Sequence, residues 1–396
     1  MSSIVTKYLC LLSIGFVICS CKQNTSIDYT GPISDWDSYG GTEYGERYSK
    51  LTQITSQNVH QLKKAWEYNH RDVSNGDNDI PSTTAFEATP IMVDETLYFP
   101  TPFNRVIALN PETGEEKWVY DPKIDLKGFY ANQLICRGVT YWKNTSNDGS
   151  SDRIFTATND ARLLALDAKS GKPCEDFGSK GEVNLLSGVG ETRYTGEYQV
   201  TSAPAIINEM VIVGSAVADG SRTNAPSGVV RAYHARSGEL IWSWDLQPPK
   251  DTTSSDLISD VGYLLGGPNV WAPMSTDTER DLLFVPTGNP SPDYYGGQRN
   301  NVDFYGSSIV AIRASTGEVV WHFQTVHHDL WDFDVPAQPT LTDIEKDGKV
   351  IPAVIQATKM GLFFILNLSA TESRSRLVLN MISSNHLVFR FCISSH

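Results

Sequence analysis

The clearest pattern in the chain is a short apolar run, then a polar turn with a glycine, then usually a second apolar run ending in tryptophan. Short apolar runs of this kind are typical of strands, and a glycine at the turn supplies the positive φ of a tight hairpin. The pattern therefore predicts four hairpins of one type, at residues 106–118, 163–171, 230–242 and 310–321.

Further pairs of apolar runs lie between these hairpins, each pair separated by a polar turn, at residues 89–99 and 203–213. They supply the additional strands that a four-stranded unit needs. The glycines of successive hairpins are unequally spaced, as expected when each unit keeps its strands but has its own connecting loops. The repetition predicts an all-β fold, a β-propeller.

The N-terminus has a different pattern. Lys7 precedes an apolar stretch over 8–18, which is too short to span a bilayer but has the length of the core of a signal peptide. The stretch ends in the motif Ile-Cys-Ser-Cys21, which resembles a bacterial lipobox. We expect a lipoprotein signal peptide at 1–20, lipidation of Cys21, a polar tether at 21–35 and a location in the bacterial cell envelope, periplasmic or membrane-anchored. An ordinary secretory signal and an uncleaved anchor are the alternatives.

Composition and charge limit the class of protein. The 396 residues are 40% hydrophobic, with 30 Gly and 20 Pro, so the chain can bury a large core and is neither disordered nor collagen-like. The net charge of −14, without a run of Lys or Arg, excludes a nucleic-acid binding surface of the usual kind. Cys136 and Cys174 have no metal-site spacing; in an oxidising compartment they could form one disulfide or stay reduced.

Three motifs carry a family resemblance when they are combined with the hairpins. They are Cys136-Arg-Gly-Val-Thr-Tyr141, Pro268-Asn-Val-Trp-Ala-Pro-Met274 and His327-His-Asp-Leu-Trp-Asp332. With these motifs at their mutual distances, the chain resembles the pyrroloquinoline quinone (PQQ) dehydrogenases, above all the membrane-associated glucose and quinate type. The resemblance implies an eight-bladed propeller, PQQ and calcium as cofactors, and oxidation of a sugar, polyol or cyclic alcohol. Electrons would pass to a quinone or cytochrome acceptor.

The resemblance also implies which residues hold the cofactor, a flat ortho-quinone with three carboxylates. Trp271 falls where the family stacks the quinone on an indole, and Arg137 and Lys359 match positions whose cations contact its oxygens. Glu87 and Thr201 match further cofactor-contacting positions. On residue type alone, Trp271 would instead pack between blades, and the two cations would be surface charges. Lys359 lies in a mostly apolar segment, so we expect it to have an anionic partner.

The proposed base comes from the same resemblance. Asp332 corresponds to the carboxylate that accepts the substrate hydroxyl proton as hydride leaves. Asp329 could compete for this role, and loop caps are the plain alternative for both aspartates. His327 and His328 are adjacent, so they point to opposite faces of an extended chain and rarely ligate one ion. We expect the two histidines to be structural or to line the substrate site.

Calcium, which the family uses to polarise the quinone carbonyl, requires oxygen donors. Asn289 lies at the family's separation from the stacking Trp271 and corresponds to an amide ligand. Asp219 is the nearest match to the family's acidic ligand, although Gly220 stands where the glucose type favours Asn.

The resemblance runs from about Trp36 to Asn367, so we expect the propeller, in partial form, over 36–367. Residues 368–396 contain no Gly, Pro, Trp or Tyr and carry three arginines against one acid, which reverses the charge of the body. A frameshifted tail is the simplest interpretation, and it would leave the enzyme incomplete and could make it inactive; a genuine short domain is the alternative. A cofactor-free propeller lipoprotein that acts as an interaction scaffold is the second functional class, but it would not need the cofactor-site side chains.

Overall fold

The computed structural model describes residues 35–146, 150–249, 257–299, 301–346 and 348–368, and the backbone of a strand at 376–380. The expected signal peptide, Cys21, the tether up to residue 34 and nearly all of residues 368–396, the expected frameshifted tail, lie outside the described residues. Within the described ranges, no helix is long and apolar enough to cross a membrane.

The chain divides into two compact units, 1–34 with 50–64, and 35–49 with 65–396. The described part of the first unit contains a single 3₁₀ turn, Val59–Gln61. The Asn58 side chain supports it by donating to the Gln53 carbonyl and accepting from the Thr55 amide. All strands described below belong to the second unit, which also contains a 3₁₀ turn at Gly296–Gln298.

Five four-stranded antiparallel sheets, here named blades I to V, follow one another along the chain. Blade I contains β2 to β5, blade II β7 to β10, blade III β12, β13, β15 and β16, blade IV β17 to β20, and blade V β21 to β24; two small pairs, β1 with β6 and β11 with β14, lie between them. The strands are β1 (Thr84–Ala85), β2 (Ile91–Val93), β3 (Thr96–Pro100), β4 (Val106–Leu109), β5 (Glu116–Tyr120), β6 (Leu134–Ile135), β7 (Thr140–Trp142), β8 (Arg153–Ala157), β9 (Arg162–Asp167), β10 (Glu182–Asn184), β11 (Tyr198–Gln199), β12 (Ala205–Ile207), β13 (Met210–Val213), β14 (Ala216–Val217), β15 (Val230–His234), β16 (Leu240–Trp244), β17 (Ser275–Asp277), β18 (Leu282–Pro286), β19 (Ser308–Arg313), β20 (Val319–Gln324), β21 (Thr340–Lys346), β22 (Lys349–Ala357), β23 (Leu362–Asn367) and β24 (Arg376–Asn380).

The hairpins predicted from the sequence are confirmed. The strand pairs β4–β5, β15–β16 and β19–β20 are antiparallel, and so are the β2–β3 and β12–β13 pairs. The four turn glycines, at 114, 171, 238 and 317, all have φ between 70° and 77°. In blade II the outer strand β10 begins only at Glu182, because residues 172–181 form a loop that bridges back to β9 through Leu166 and Pro173.

Successive blades share hydrophobic cores, as the blades of a propeller do. One core joins blades I and II, the next joins II and III, and two more join III to IV and IV to V. Central strands of blades I, III and IV are almost wholly apolar and buried, as in β4, β13 and β18. Among the described residues, blades I and V share no strand pairing, so the expected all-β propeller is present but its described ring is not closed.

Tryptophans dock on the glycine turns of neighbouring sheets. In three places the indole covers the turn so closely that a Cβ on the glycine would lie no farther than 2.8 Å from ring carbons. The indole Nε1 then donates to the carbonyl three residues before that glycine. The pairs are Trp66 with Pro111 (3.0 Å), Trp118 with Ala168 (3.1 Å) and Trp242 with Ala314 (2.7 Å). This contact explains why glycine and tryptophan recur together in the sequence.

The segment before blade I ties distant blades together. Trp36 exchanges two backbone hydrogen bonds of 2.8 Å with Met92 in blade I. A few residues later, the Glu43 carbonyl accepts from Thr276 in blade IV and the Tyr44 carbonyl accepts from Leu341 in blade V. One short segment therefore links the first strands of three blades.

Cys136 and Cys174 are both free, buried thiols, so the structure contains no disulfide between them. Burial raises the pKa of the Cys174 thiol to about 11. Such a thiol is mostly protonated at neutral pH and packs as a small apolar side chain.

Candidate active site

The loops that lead into the first strands of the blades line one cavity of about 400 Å³. Glu87 precedes β2, Arg137 precedes β7 and Thr201 precedes β12. Trp271 and the segment around Asp332 take the corresponding places before β17 and β21. Polar side chains at these places point into one space because each blade repeats the same entry into its first strand.

Hydrogen bonds between neighbouring loops hold this wall together. The Thr89 amide donates to the Arg137 carbonyl at 2.9 Å, and the Arg137 amide donates to the Thr201 carbonyl at 2.9 Å. The next loop is joined by the Ser202 hydroxyl, which donates to the Trp271 carbonyl at 2.5 Å. The site residues are therefore positioned by backbone contacts that do not depend on a ligand.

Seven of the eight cofactor, metal and base residues expected from the sequence line this cavity. Asn289 is the exception and does not belong to the cavity wall. The seven are Glu87, Arg137, Thr201, Asp219, Trp271, Asp332 and Lys359.

Arg137 is held over the Trp271 ring by two neighbours. Its Nη1 donates to the Thr201 hydroxyl at 2.8 Å, and its Nε lies 3.1 Å from a carboxylate oxygen of Glu87. The guanidinium carbon is 5.1 Å from the centroid of the Trp271 ring, within the range of a cation–π contact. A fixed cation beside an aromatic face suits a flat anionic ligand.

Lys359, in the turn between β22 and β23, has the anionic partners that its apolar surroundings led us to expect. Its Nζ lies 2.5 Å from Asp334 Oδ1 and 2.9 Å from Asp332 Oδ2, and it also donates to the Asp332 carbonyl at 3.0 Å. The ammonium is 5.9 Å from the centroid of the Trp271 ring. Burial alone would lower the pKa of Lys359, but the two carboxylates outweigh it and raise this pKa.

Asp219 faces the same cavity from the loop after β14. Its Oδ2 accepts from the Asn269 amide at 2.9 Å. Burial, with the nearby charges of Asp293, Asp332 and Asp334, raises the pKa of Asp219 to about 7. A group of carboxylates that repel one another is an environment that a cation would relieve.

Asn289 and Asp329 lie behind the wall. Asn289 is buried, and its Oδ1 lies 3.1 Å from Ser307 Oγ, whose single hydrogen it shares with Asp329. Asp329 is also buried, and its two oxygens accept from Ser307 Oγ at 2.8 Å and from the Trp331 amide at 2.9 Å. Asp329 thus caps the loop that carries Asp332, and of the two aspartates only Asp332 reaches the cavity.

The histidines lie on the outer side of the same loop. The Nδ1 of His328 is 2.8 Å from Asp303 Oδ2, and its side chain is exposed. In the described residues no group of three or more His, Cys, Asp or Glu side chains is arranged to hold a metal ion by itself.

Two of the cavity residues that were not expected from the sequence make polar contacts with expected ones. Asp334 contacts both Trp271 and Lys359, and Asn269 contacts Asp219. The signal for Asp334 was its place in Asp332-Phe-Asp334, since two carboxylates at i and i+2 can share one side of an extended chain. Asn269 stands in the same motif as Trp271, two residues before it.

A larger cavity of about 670 Å³ lies beside blade I. Arg105 crosses it and pairs with Asp72 at 2.6 Å. It contains none of the residues expected from the sequence, and no indole face with flanking cations converges there. We therefore place the candidate site in the smaller cavity.

Comparison with known proteins gives a consistent result. The family model described as the β-propeller domain of glucose, ethanol and alcohol dehydrogenases matches residues 36–371. The quinoprotein glucose dehydrogenase of Escherichia coli is 38% identical over 353 residues, which are 87% of this chain and 44% of that protein. The quinate/shikimate dehydrogenase (quinone) of Acinetobacter baylyi is 35% identical, over 84% of this chain and 42% of that protein.

A solved structure shows the same architecture. The quinohemoprotein alcohol dehydrogenase of Comamonas testosteroni superposes with a TM-score of 0.68 at 28% identity, over 89% of this chain and 50% of that one. The chain spans less than half the length of the curated relatives it matches.

Proposed function

Because this chain belongs to the β-propeller family of PQQ-dependent glucose, ethanol and alcohol dehydrogenases, we propose that its cavity binds PQQ and oxidises a sugar, polyol or cyclic alcohol. The observation that carries the proposal is the convergence of two cations, Arg137 and Lys359, on one indole ring beside the carboxylate of Asp332. The larger cavity beside blade I does not combine these groups.

The cavity wall fits the quinone. The Trp271 ring offers a flat face, and the charged groups of Arg137 and Lys359, 5.1 and 5.9 Å from the ring centroid, match carboxylate or carbonyl oxygens. The Thr201 hydroxyl and the Glu87 carboxylate hold the guanidinium in place. When bound, PQQ supplies the acceptor for the hydride that leaves the alcohol carbon. The chain itself has to bind and orient the reactants.

We assign to Asp332 the role of the base that accepts the substrate hydroxyl proton. It reaches the cavity, its side chain is partly exposed, and one of its oxygens lies 2.9 Å from Lys359. This ion pair holds the Asp332 side chain at the cavity, and a carboxylate there can accept the substrate hydroxyl proton. The φ of 55° at Asp332 is left-handed, a conformation that aspartate adopts more readily than most non-glycine residues. The fold maintains this conformation where Asp332 turns towards Lys359.

We propose calcium as the second cofactor. Asp219 offers a carboxylate, and the neighbouring Asn269 has a buried amide oxygen without a hydrogen-bond partner. Oxygen donors of these two kinds are what a hard cation requires, and the remaining donors would come from the ligand and water. Asn289 stays a predicted ligand; its Oδ1 lies 3.1 Å from Ser307 Oγ, and an amide oxygen has a second lone pair that could bind a cation.

The proposal extends to the wider role of the protein. A lipid anchor at Cys21, expected from the lipobox-like motif, would place the chain in the bacterial cell envelope. A quinone or cytochrome would take the electrons, as the family resemblance implies. The scaffold alternative is not favoured, because a scaffold requires the hairpins but not an indole, two cations and a carboxylate in one cavity.

The proposal is tested by dye-coupled oxidation with the full chain, PQQ and Ca²⁺, using glucose, glycerol and quinate as substrates. We expect turnover with at least one substrate. Asp332→Asn should lose this turnover by at least a hundredfold and still bind PQQ, because the amide cannot accept the proton. Asp343→Asn, at an exposed position of β21, is the control and should keep full activity. Unchanged turnover in Asp332→Asn would exclude Asp332 as the base.

A further inference from the structure

Asp334 is a buried carboxylate that lies between Trp271 and Lys359 in the candidate site. It is 2% exposed and lies in the loop before β21, two residues after the proposed base. Its Oδ2 accepts a hydrogen bond from Trp271 Nε1 at 2.6 Å, and its Oδ1 lies 2.5 Å from Lys359 Nζ. One side chain therefore joins the aromatic face of the cavity to one of its two cations.

This arrangement is not the one that stability alone would favour. A buried carboxylate loses most of its hydration, and a well-packed apolar side chain of similar size is often as stable or more so. Asp334 tolerates burial because both of its oxygens have charged or strongly polar partners. What the carboxylate provides, and an apolar residue would not, is a fixed position for those partners.

The first partner to be fixed is the indole. The indole turns about its Cα–Cβ and Cβ–Cγ bonds, and the hydrogen bond from Nε1 to Asp334 fixes the orientation that the ring takes. Arg137 lies 5.1 Å from the centroid of this ring and Lys359 lies 5.9 Å from it, so the rotation of the ring decides which atoms each cation faces.

The second partner to be fixed is the ammonium. Lysine has a flexible four-carbon stem, and its ammonium has no preferred direction of its own. Lys359 is held between two carboxylates, Asp334 at 2.5 Å and Asp332 at 2.9 Å. Without Asp334 the ammonium would pair with Asp332 alone, which would tie up the group proposed to accept the proton.

We propose that Asp334 is a positioning residue, which holds the Trp271 ring and the Lys359 ammonium in the arrangement that receives the flat anionic cofactor. The inference rests on the proposed function and assigns to it a residue that the family resemblance did not supply. Asp334 itself does not exchange a proton with the substrate in this account.

The test measures PQQ binding to the full chain by isothermal titration calorimetry. Asp334→Ala removes the acceptor of the indole and the partner of the ammonium, and we expect the PQQ dissociation constant to rise about tenfold to a hundredfold. Asp334→Asn keeps one oxygen for the indole N–H but loses the charge. Its PQQ dissociation constant should therefore lie between those of the wild type and Asp334→Ala, which is a partial rescue by the conservative variant.

A double-mutant cycle separates positioning from general destabilisation. Trp271→Phe lacks Nε1, so most of the effect that Asp334→Ala exerts through the indole should be missing in the Trp271→Phe background. The near-ultraviolet circular dichroism of the chain without PQQ should change in Asp334→Ala and change much less in Asp334→Asn. This readout follows the environment of the indole and does not depend on a bound cofactor.

Asp277→Asn is the matched control. Asp277 is also a buried aspartate, 1% exposed, and it pairs with Arg280 at 2.7 Å, but it does not line the cavity. This variant should lower thermal stability and leave PQQ affinity unchanged. If the wild type binds PQQ and folded Asp334→Ala and Asp334→Asn bind it equally well, the positioning role is wrong and the proposed function stands. A wild type that does not bind PQQ overturns both.

Discussion

The most informative single substitution for the electrostatics of the cavity is Asp219→Asn. The pKa of Asp219 is raised to about 7 by burial and by Asp293, Asp332 and Asp334, while an unfolded chain restores an ordinary value near 4. The folded chain therefore holds a proton more tightly than the unfolded chain does. The stabilisation of the folded chain by this bound proton is fully present below about pH 4 and is lost as the pH rises through 7.

The magnitude follows from this pKa difference. Between pH 5 and pH 8, linkage gives a loss of about 2–3 kcal/mol in the free energy of unfolding of the cation-free chain. Asn at position 219 does not titrate and can still accept from the Asn269 amide, so the variant should lack this loss. Asp219→Asn is therefore expected to be more stable than the wild type at pH 8, and by a smaller margin at pH 5.

The assay is urea unfolding of both chains at pH 5 and pH 8, in the presence of a chelator and then with Ca²⁺. Added Ca²⁺ should stabilise the wild type at pH 8 and have little effect on Asp219→Asn, because the carboxylate is the proposed ligand. Asp343→Asn removes one exposed acid outside the cavity and should follow the wild type throughout. If the free energy of unfolding depended on pH equally in Asp219→Asn and the wild type, the proposed coupling of Asp219 to the neighbouring carboxylates would be wrong.

Three further substitutions test the fold and the cofactor site. Gly114→Ala should lower the free energy of unfolding by about 1–3 kcal/mol, because this glycine has φ 74° and a Cβ there would meet the Trp66 ring; chemical denaturation measures it, and a change below 0.5 kcal/mol would contradict the docking contact. Trp242→Phe should lower the free energy of unfolding by about 1–3 kcal/mol, since it removes the hydrogen bond to the Ala314 carbonyl and part of a buried ring. An unaltered melting temperature would contradict this role of the indole. Arg137→Gln should weaken PQQ binding about tenfold to a hundredfold in calorimetry, and an unchanged dissociation constant would show that the guanidinium does not bind the cofactor.

Much of the fold could be predicted from the sequence because the signals are local. The docking contacts join a tryptophan to a turn glycine of positive φ on a neighbouring sheet, so these two residue types mark most hairpins directly. Trp118 and Trp242 illustrate this, because each donates to a carbonyl at the same offset before a turn glycine. The long loop before β10 was not visible in this way, since its course depends on a bridge back to β9.

The site was predicted less completely, for a physical reason. Arg137, Trp271 and Lys359 belong to recognisable motifs, and their side chains do line one cavity. The role of Asp334 could not be inferred, because it depends on two other loops that place an indole and an ammonium on either side of one carboxylate. For the same reason, the sequence could not show that the Asn289 amide is engaged by Ser307.

The central claim is that the cavity over Trp271 binds PQQ, and the direct measurement is a calorimetric titration of the full chain with PQQ in the presence of Ca²⁺. We predict saturable binding of one PQQ per chain, and an affinity that falls at least tenfold in Trp271→Ala because the stacking face is lost. The absence of saturable binding, or equal affinity in Trp271→Ala, would contradict the account.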